Sequence, residues 1–401
     1  MSGRGTPRIA ALVHRIGPYH DARFRALARR ADVVVVEYSA VDDTYAWDRV
    51  SVDGYRVERL FVDADVATQP AREVRTRMRM ALAASAPEVV AIPGWSDRAS
   101  LAALDWCRRT GTPTVVMSET NRHDARRGRW KEWVKSRIVR QFDAALVGGT
   151  PHAEYAVALG QPRERVFRGY DVVDNAYFAR AGDAAKEDAP RVRERYRLPE
   201  RYFLASSRFI PKKNLERLLA AYGRYAARAA PDPWHLVLLG DGELRGAIEA
   251  RVAAAGLRAR VHLPGFVQYG DLPAYYGLAS AFVHASTVEQ WGLVVNEAMA
   301  AGLPVLVSSR CGCSADLVRP EVNGFRFDPF DVDALAARMA QLAGDEYDLG
   351  AMGRASREII AGFGPDSFAE NLTAAAHAAL AAPARRAAPL DHALAWMAAR
   401  R

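Results

Sequence analysis

Cysteine is scarce: Cys107, Cys311 and Cys313 are all there is in 401 residues. Three cannot build a disulfide framework, and Cys311-Gly312-Cys313 has no second ligand pair to close a structural zinc site. That usage fits a reducing, cytoplasmic compartment. Long apolar runs are missing too. The stretch nearest the N-terminus, Ile9–Val13, stops at His14 and Arg15, too short for a signal-peptide core or a membrane span, so the chain reads as neither secreted nor integral. Acidic residues are outnumbered, 47 against 55 basic ones, for a net charge of +8. This favours anionic partners such as nucleotides, phosphates or a lipid surface. What is plentiful is ordinary globular material, half hydrophobic and a quarter charged, which excludes chain-wide disorder and suffices for two or three domains.

Apolar runs of strand length alternate with helical patterns from the start. Strands are expected at Ile9–Val13, Val33–Val36, Val89–Ile92, Thr114–Met117 and Ala144–Val147. Helices are expected near 21–30, 71–86, 97–109, 129–141 and 152–159. This is βαβ grammar and predicts a doubly wound parallel sheet. The stretch 171–199, with Ala181–Pro190 at its centre, has linker composition and places a boundary near residue 190. The grammar then restarts, with strands at Tyr202–Ser206, His235–Leu239, Val261–Leu263, Ala281–His284 and Pro304–Val307. Helices fall near 214–229, 243–255, 271–278, 292–301 and 331–343. The expected division is an N-terminal Rossmann-like domain over 1–189, a second α/β domain over 190–370, and an alanine-rich helical segment over 371–401 that packs back on the first.

Two open parallel sheets put the carboxyl ends of their strands, and the helix N-termini that follow, where ligands bind. Three segments of the second half carry candidate chemistry. Arg208 follows a strand, and Lys213 lies five residues on, before a helix that Asn214 could cap. Both cations can converge on a diphosphate, although a solvated basic turn has the same composition. Gly240-Asp241-Gly242 lets backbones approach closely, but no acidic residue follows at the distance a dinucleotide site needs, which argues against NAD. Glu289 and Glu297 stand eight apart in a largely apolar, glycine-bearing setting, Glu289 in a loop and Glu297 inside a helix. Such carboxylates can each accept two hydroxyl hydrogen bonds from one elongated ligand.

At this point the chain resembles glycosyltransferase family 4, the retaining enzymes of GT-B fold. The likeness rests on Glu289–Glu297 with Gly292-Leu293-Val294 and Gly302-Leu303-Pro304-Val305. Ser207-Arg208, Pro211-Lys212-Lys213-Asn214, Gly240-Asp241-Gly242, Leu263-Pro264-Gly265-Phe266-Val267 and Asn323-Gly324-Phe325 support it, as do Gly17 and Gly169–Asp174 more loosely. The resemblance implies two Rossmann-like domains facing a cleft and transfer of a hexose or N-acetylhexosamine from a nucleoside-diphosphate sugar, UDP by default. It implies that Arg208 and Lys213 hold the diphosphate, Gly17 lends a backbone N–H, Glu297 binds ribose and Glu289 the hexose. Gly240, Gly242, Gly292, Leu293 and Val294 would complete the donor site, with Phe266 and Val267 at the base. Glu119 or His123 would orient the acceptor or move a proton. No cofactor or metal is implied; the acceptor is a glycan, a glycolipid or a small metabolite. A nucleotide-sugar epimerase of similar fold and a non-catalytic nucleotide-binding module are the alternatives.

Two short acidic matches, Asp63-Ala64-Asp65 and Asp331-Val332-Asp333, read as structural, the second as a capped helix start. Over 122–140 eight basic residues face two acids, with Trp130 and Trp133 interleaved. A helix there suits peripheral docking on the anionic inner face of a membrane. The expectation weighed above it is a solvated helix whose tryptophans pack inward. No nucleic-acid module accompanies the charge.

Overall fold

The computed structural model of the chain describes residues 6–39, 50–124, 128–229 and 231–383. It divides into two units, one taking the chain up to Val172 and again from Pro365, the other running Val173–Gly364.

In unit 1 the strands are β1 (Arg8–Val13), β2 (Asp32–Ser39), β3 (Arg56–Phe61), β4 (Val89–Pro93), β5 (Thr114–Ser118), β6 (Ala144–Val147) and β7 (Val166–Arg168). They form a seven-stranded sheet in the order β3-β2-β1-β4-β5-β6-β7, parallel at every pairing. Between them run α1 (Pro18–Ala28), α2 (Ala71–Ser85), α3 (Arg98–Thr110), α4 (Arg129–Val139) and α5 (Thr150–Ala158). The inner strands are continuous apolar runs because helices cover both faces, the usual condition of a parallel sheet. On one face, Met78 of α2, Leu104 of α3, Ile138 of α4 and Ala156 of α5 share a core with the sheet. Local signals set the helix limits: Asp97 accepts from the backbone N–H of Ser100 to start α3, and Gly111 at φ +74° ends it.

Unit 2 repeats the plan with β8 (Tyr202–Ser206), β9 (His235–Leu239), β10 (Val261–Gly265), β11 (Ala281–His284), β12 (Val305–Ser308) and β13 (Gly324–Phe327). Its six-stranded sheet runs β10-β9-β8-β11-β12-β13, again parallel. The helices are α6 (Asn175–Glu187), α7 (Ala189–Tyr196), α8 (Leu215–Arg228), α9 (Arg245–Ala254), α10 (Leu272–Leu278), α11 (Leu293–Ala300), α12 (Ser314–Leu317), α13 (Val332–Ala343) and α14 (Leu349–Ile360). One further helix, α15 (Pro365–Leu380), belongs to unit 1, where it packs on α1 and against β4 to β7.

The structure corrects the expected boundaries. The stretch 171–199 is not a linker: α6 and α7 fill most of it, and the second unit begins at Val173 instead of near 190. Its buried side is what composition conceals. Phe178 is fully buried, with its ring edge-on to Tyr269 and Tyr276. Gly182 lies so close to Gly277 that a Cβ on Gly277 would meet the Gly182 carbonyl oxygen at 2.5 Å. The charges that suggested a linker lie outside, Asp183 paired with Arg357 and Lys186 reaching the Ala301 carbonyl. At the other end unit 1 resumes at Pro365 and not 371, and the rest of the 371–401 segment, from 384, lies outside the described residues.

Candidate active site

The site is built at the carboxyl ends of β8 and β11. After β8, Phe209 N–H donates to the Asp241 carbonyl at 2.8 Å and Leu244 N–H to the Phe209 carbonyl at 3.0 Å, tying the turn after β9 to the segment carrying Arg208. Gly240 and Gly242 make this possible. At φ +125° a Cβ on Gly240 would lie 1.8 Å from the Ser207 carbonyl oxygen, and one on Gly242, at φ +152°, 2.8 Å from that of Phe209. Both glycines therefore serve chain packing behind Arg208, which is partly exposed.

A short 3-10 turn, Pro211–Lys213, follows. Asn214 does not cap α8, as the sequence had suggested. It sits at φ +59°, and its side-chain amide donates to the carbonyls of Ala285 at 3.0 Å and Pro329 at 2.8 Å. With Thr287 donating to the Lys212 carbonyl through its N–H at 2.9 Å and its hydroxyl at 3.2 Å, the basic turn is fastened to the loop after β11.

That fastening brings Lys213 onto Glu289. The Lys213 ammonium and the Glu289 carboxylate form a close, largely buried ion pair. The same Glu289 oxygen lies 3.0 Å from His284 Nε2 and accepts from the Ser286 hydroxyl at 3.1 Å. Burial alone would raise the Glu289 pKa, but the His284 hydrogen bond and the Lys213 charge carry it well below the usual carboxylate range. Burial lowers His284; the hydrogen bond to Glu289 opposes this and the Lys213 charge adds to it, leaving the imidazole below its ordinary value. The loop is held from behind, Gly312 N–H donating to the Glu289 carbonyl at 3.1 Å and Cys313 N–H to that of Trp291 at 3.2 Å. All three cysteines are free and buried.

Gly292, at φ +106°, precedes the first turn of α11, which carries Leu293 and Val294, so the positive end of that helix opens beside Glu289. Glu297 lies in the next turn and is only 1 % exposed. Tyr276 is its neighbour: burial first, then the Glu297 charge, keep the phenol protonated well past its ordinary range. Across the sheet, Gly265 at φ +93° ends β10 and accepts from Gly240 N–H at 2.8 Å, while Phe266 is 41 % exposed and Val267 partly so. His284 and Ser286 had no role in the sequence reading. Their spacing of two at a strand end, which points both the same way, was the available signal.

In unit 1, Gly17 precedes α1 at an ordinary φ of −110° and donates its N–H to His20 Nδ1 at 3.4 Å. Burial lowers the His20 pKa to about 3, so the ring is neutral, and its Nδ1 accepts this bond in the tautomer that carries the proton on Nε2. A Cβ at residue 17 would meet nothing nearer than 3.9 Å. Glu119, just past β5, is partly buried, whereas His123 is exposed, its backbone N–H bonded to Asn121 Oδ1 at 2.8 Å. Asp171, which carried no assigned role in the sequence, lies buried beside Glu119. Burial and then the Glu119 charge push its carboxyl well above the ordinary range, against the pull of Arg23. The two acidic matches are structural: Asp65 caps a short 3-10 turn and Asp331 caps α13.

The pattern of the family "Glycosyl transferases group 1" matches residues 188–359. A GDP-mannose-dependent alpha-mannosyltransferase of Mycobacterium tuberculosis is 30 % identical over 287 residues, covering 68 % of this chain and 69 % of that protein. The chain belongs to the group 1 glycosyltransferases. Another M. tuberculosis relative, a GDP-mannose-dependent alpha-(1-6)-phosphatidylinositol monomannoside mannosyltransferase, is 28 % identical to this glycosyltransferase and covers 78 % of it and 80 % of its own length. Among solved structures, sucrose-phosphate synthase from Thermosynechococcus elongatus superposes with a TM-score of 0.70 at 20 % identity, over 91 % of this chain and 97 % of that one. Anabaena HepE in complex with UDP and glucose gives 0.70 at 16 % identity, over 91 % and 98 %. At such identities the likeness speaks for the fold, and the enzyme has the two parallel-sheet domains of GT-B.

Proposed function

We propose that this glycosyltransferase moves a hexosyl group from a nucleoside-diphosphate sugar to an acceptor hydroxyl with retention at the anomeric carbon. The observation that carries the reading is the Lys213–Glu289 pair, braced by His284 and Ser286 beside the start of α11. When the anomeric C–O bond breaks, negative charge gathers on the departing diphosphate. Lys213, Arg208 and the N-terminal dipole of α11 are fixed cationic partners for it. One ammonium has three donors, so Lys213 can hold Glu289 and a phosphate oxygen together. Glu289 then receives hexose hydroxyls and Glu297 the ribose, with the base at Gly265–Val267. The acceptor proton leaves on a phosphate oxygen of the departing group, so no covalent nucleophile and no metal is needed. Gly17 is the proposed backbone donor to the phosphate, its N–H exchanging the long 3.4 Å bond to His20 for the ligand. Glu119 and His123 remain the residues proposed to meet the acceptor.

The donor base is proposed to be guanine, on the strength of the relatives named as GDP-mannose-dependent, with UDP sugars as the second arm of the test. Incubating the enzyme with GDP-mannose, UDP-glucose and UDP-N-acetylglucosamine, with and without acceptor hydroxyls, should give one nucleotide product, formed faster with acceptor and with retained configuration by NMR. Lys213→Ala should lower kcat by about 10²–10³, the usual loss of one charge-stabilising donor. A wild-type rate in that variant would sink the site, and conversion of the sugar nucleotide without acceptor would mark an epimerase instead.

A further inference from the structure

Helix α4 contradicts the expectation that its tryptophans pack inward. Val134 and Ile138 take the positions against the sheet, with Val139 buried beyond them. Trp130 and Trp133 are left outside, 70 % and 40 % exposed, their rings stacked at 4.8 Å and 21°. Apolar area of this kind on a surface helix is costly without a partner. The platform is also rigidly seated. Ser136 donates to the Leu159 carbonyl at 2.8 Å, Tyr155 donates to Glu132 at 2.8 Å, and the Arg140 stem lies over Gly160.

The charge along it is predominantly positive. Over 128–140 the chain carries Arg129, Lys131, Lys135, Arg137 and Arg140 against the single acid Glu132, and Glu132 is already engaged by Lys135 and Tyr155. Arg129 and Lys131 are exposed beside Trp130, and the Arg137 guanidinium stands 5.8 Å over the Trp133 ring. On the same face of the unit 1 sheet, α2 exposes Arg72, Arg79 and Met80, the last at 63 %. Arg126 and Arg127, counted in the sequence reading, lie outside the described residues.

We infer that this face of unit 1 docks on an anionic lipid surface, with Trp130 and Trp133 seated at headgroup depth and the flanking cations held to lipid phosphates. Stacked indoles ringed by lysine and arginine match that interface in both respects. Indole rings prefer the headgroup region, and basic side chains are drawn to anionic lipid. Among the described residues no helix is long and apolar enough to cross a membrane, so this contact is peripheral. The inference is independent of which sugar the enzyme transfers.

The test is flotation of the full-length protein with vesicles of phosphatidylcholine alone or with 30 mol% phosphatidylglycerol, a composition rich enough in anionic lipid to draw basic residues. Wild type should float with the anionic vesicles and about tenfold less with neutral ones, lose binding in 0.5 M salt, and show a blue-shifted tryptophan emission on binding. Trp130→Ser with Trp133→Ser, and separately Arg129→Glu with Lys131→Glu, should each cut partitioning about tenfold at unchanged Tm, since all four side chains are exposed. Equal binding by the variants, or none by wild type, overturns the inference. So does wild-type dimerisation that the tryptophan variant abolishes, or equally tight, tryptophan-dependent binding to duplex DNA.

Discussion

At the scale of single residues, the centre of the site is one carboxylate serving three partners. Glu289 is held ionised by Lys213 and His284 although burial works the other way. Its folded pKa lies below its unfolded value of about 4.3. The stabilisation is therefore full above that value and drains away as the pH falls beneath it. His284 has the same sign: its folded pKa is lowered, so the unfolded chain takes up a proton first and stability begins to fall below about pH 6.5. Glu289→Gln should be less stable than wild type at pH 6, and that gap should narrow by about 1.4 kcal/mol per pH unit below about pH 4.3. Thermal unfolding of both proteins from pH 7 to 3 measures this; a constant gap would mean the ion pair contributes nothing. The acids and cations of this cluster were legible in the sequence from their spacing. Their braces were not, because His284 and Ser286 look like any polar strand end until Lys213 arrives from another strand.

At the scale of elements, strands buried within a sheet announced themselves, whereas most edge strands did not, and neither did α6 and α14, although Asp174 and Asp348 cap them. β3, β7 and β13 were absent from the sequence reading, and each is an edge strand, although the fourth edge, β10, was expected from its apolar run. An edge needs only partial apolar patterning, as Arg56-Val57-Glu58-Arg59-Leu60-Phe61 illustrates, with only its last two residues buried. For α6 a buried phenylalanine and two small residues do the packing, while the rest is alanine, one tyrosine and polar side chains. For α4 the aromatic residues misled, since aliphatic side chains alone covered the sheet. Glycines divide in the same way. Gly240→Ala would drive a methyl into the Ser207 carbonyl at a positive φ and should cost about 2–4 kcal/mol, with loss of donor affinity as the Arg208 segment shifts. Gly246→Ala in α9, where a Cβ meets nothing within 4 Å, should be neutral or slightly stabilising. Matching chemical-denaturation curves for the two variants would show the crossed backbones to be unimportant.

At the scale of the whole molecule, the decisive feature is that unit 1 is completed by the chain's last described helix. Phe368, Leu372 and Ala376 of α15 are buried in unit 1 although nearly two hundred residues of unit 2 intervene. Leu372→Ala should cost about 2–5 kcal/mol. The damage should appear in unit 1: limited proteolysis read by mass spectrometry should show faster cleavage before Val172 and unchanged peptides from Val173–Gly364. Uniform protection would mean that α15 is dispensable. The alanine-rich pattern announced this helix and the sequence already set it against the first domain, while the residues that make the contact, Phe368, Leu372 and Ala376, come from the fold.

The same circuit sets a timetable for biosynthesis. A ribosome delivers the seven strands of unit 1 first, yet the helix that covers one face of β4 to β7 emerges only after Gly364. Unit 2 is complete before that helix exists, so the domain begun second is finished first, reversing the usual order in which the N-terminal domain leads. For the time it takes to translate unit 2, the nascent protein carries one face of β4 to β7 without its helix, and the stretch of its life most exposed to aggregation falls during synthesis.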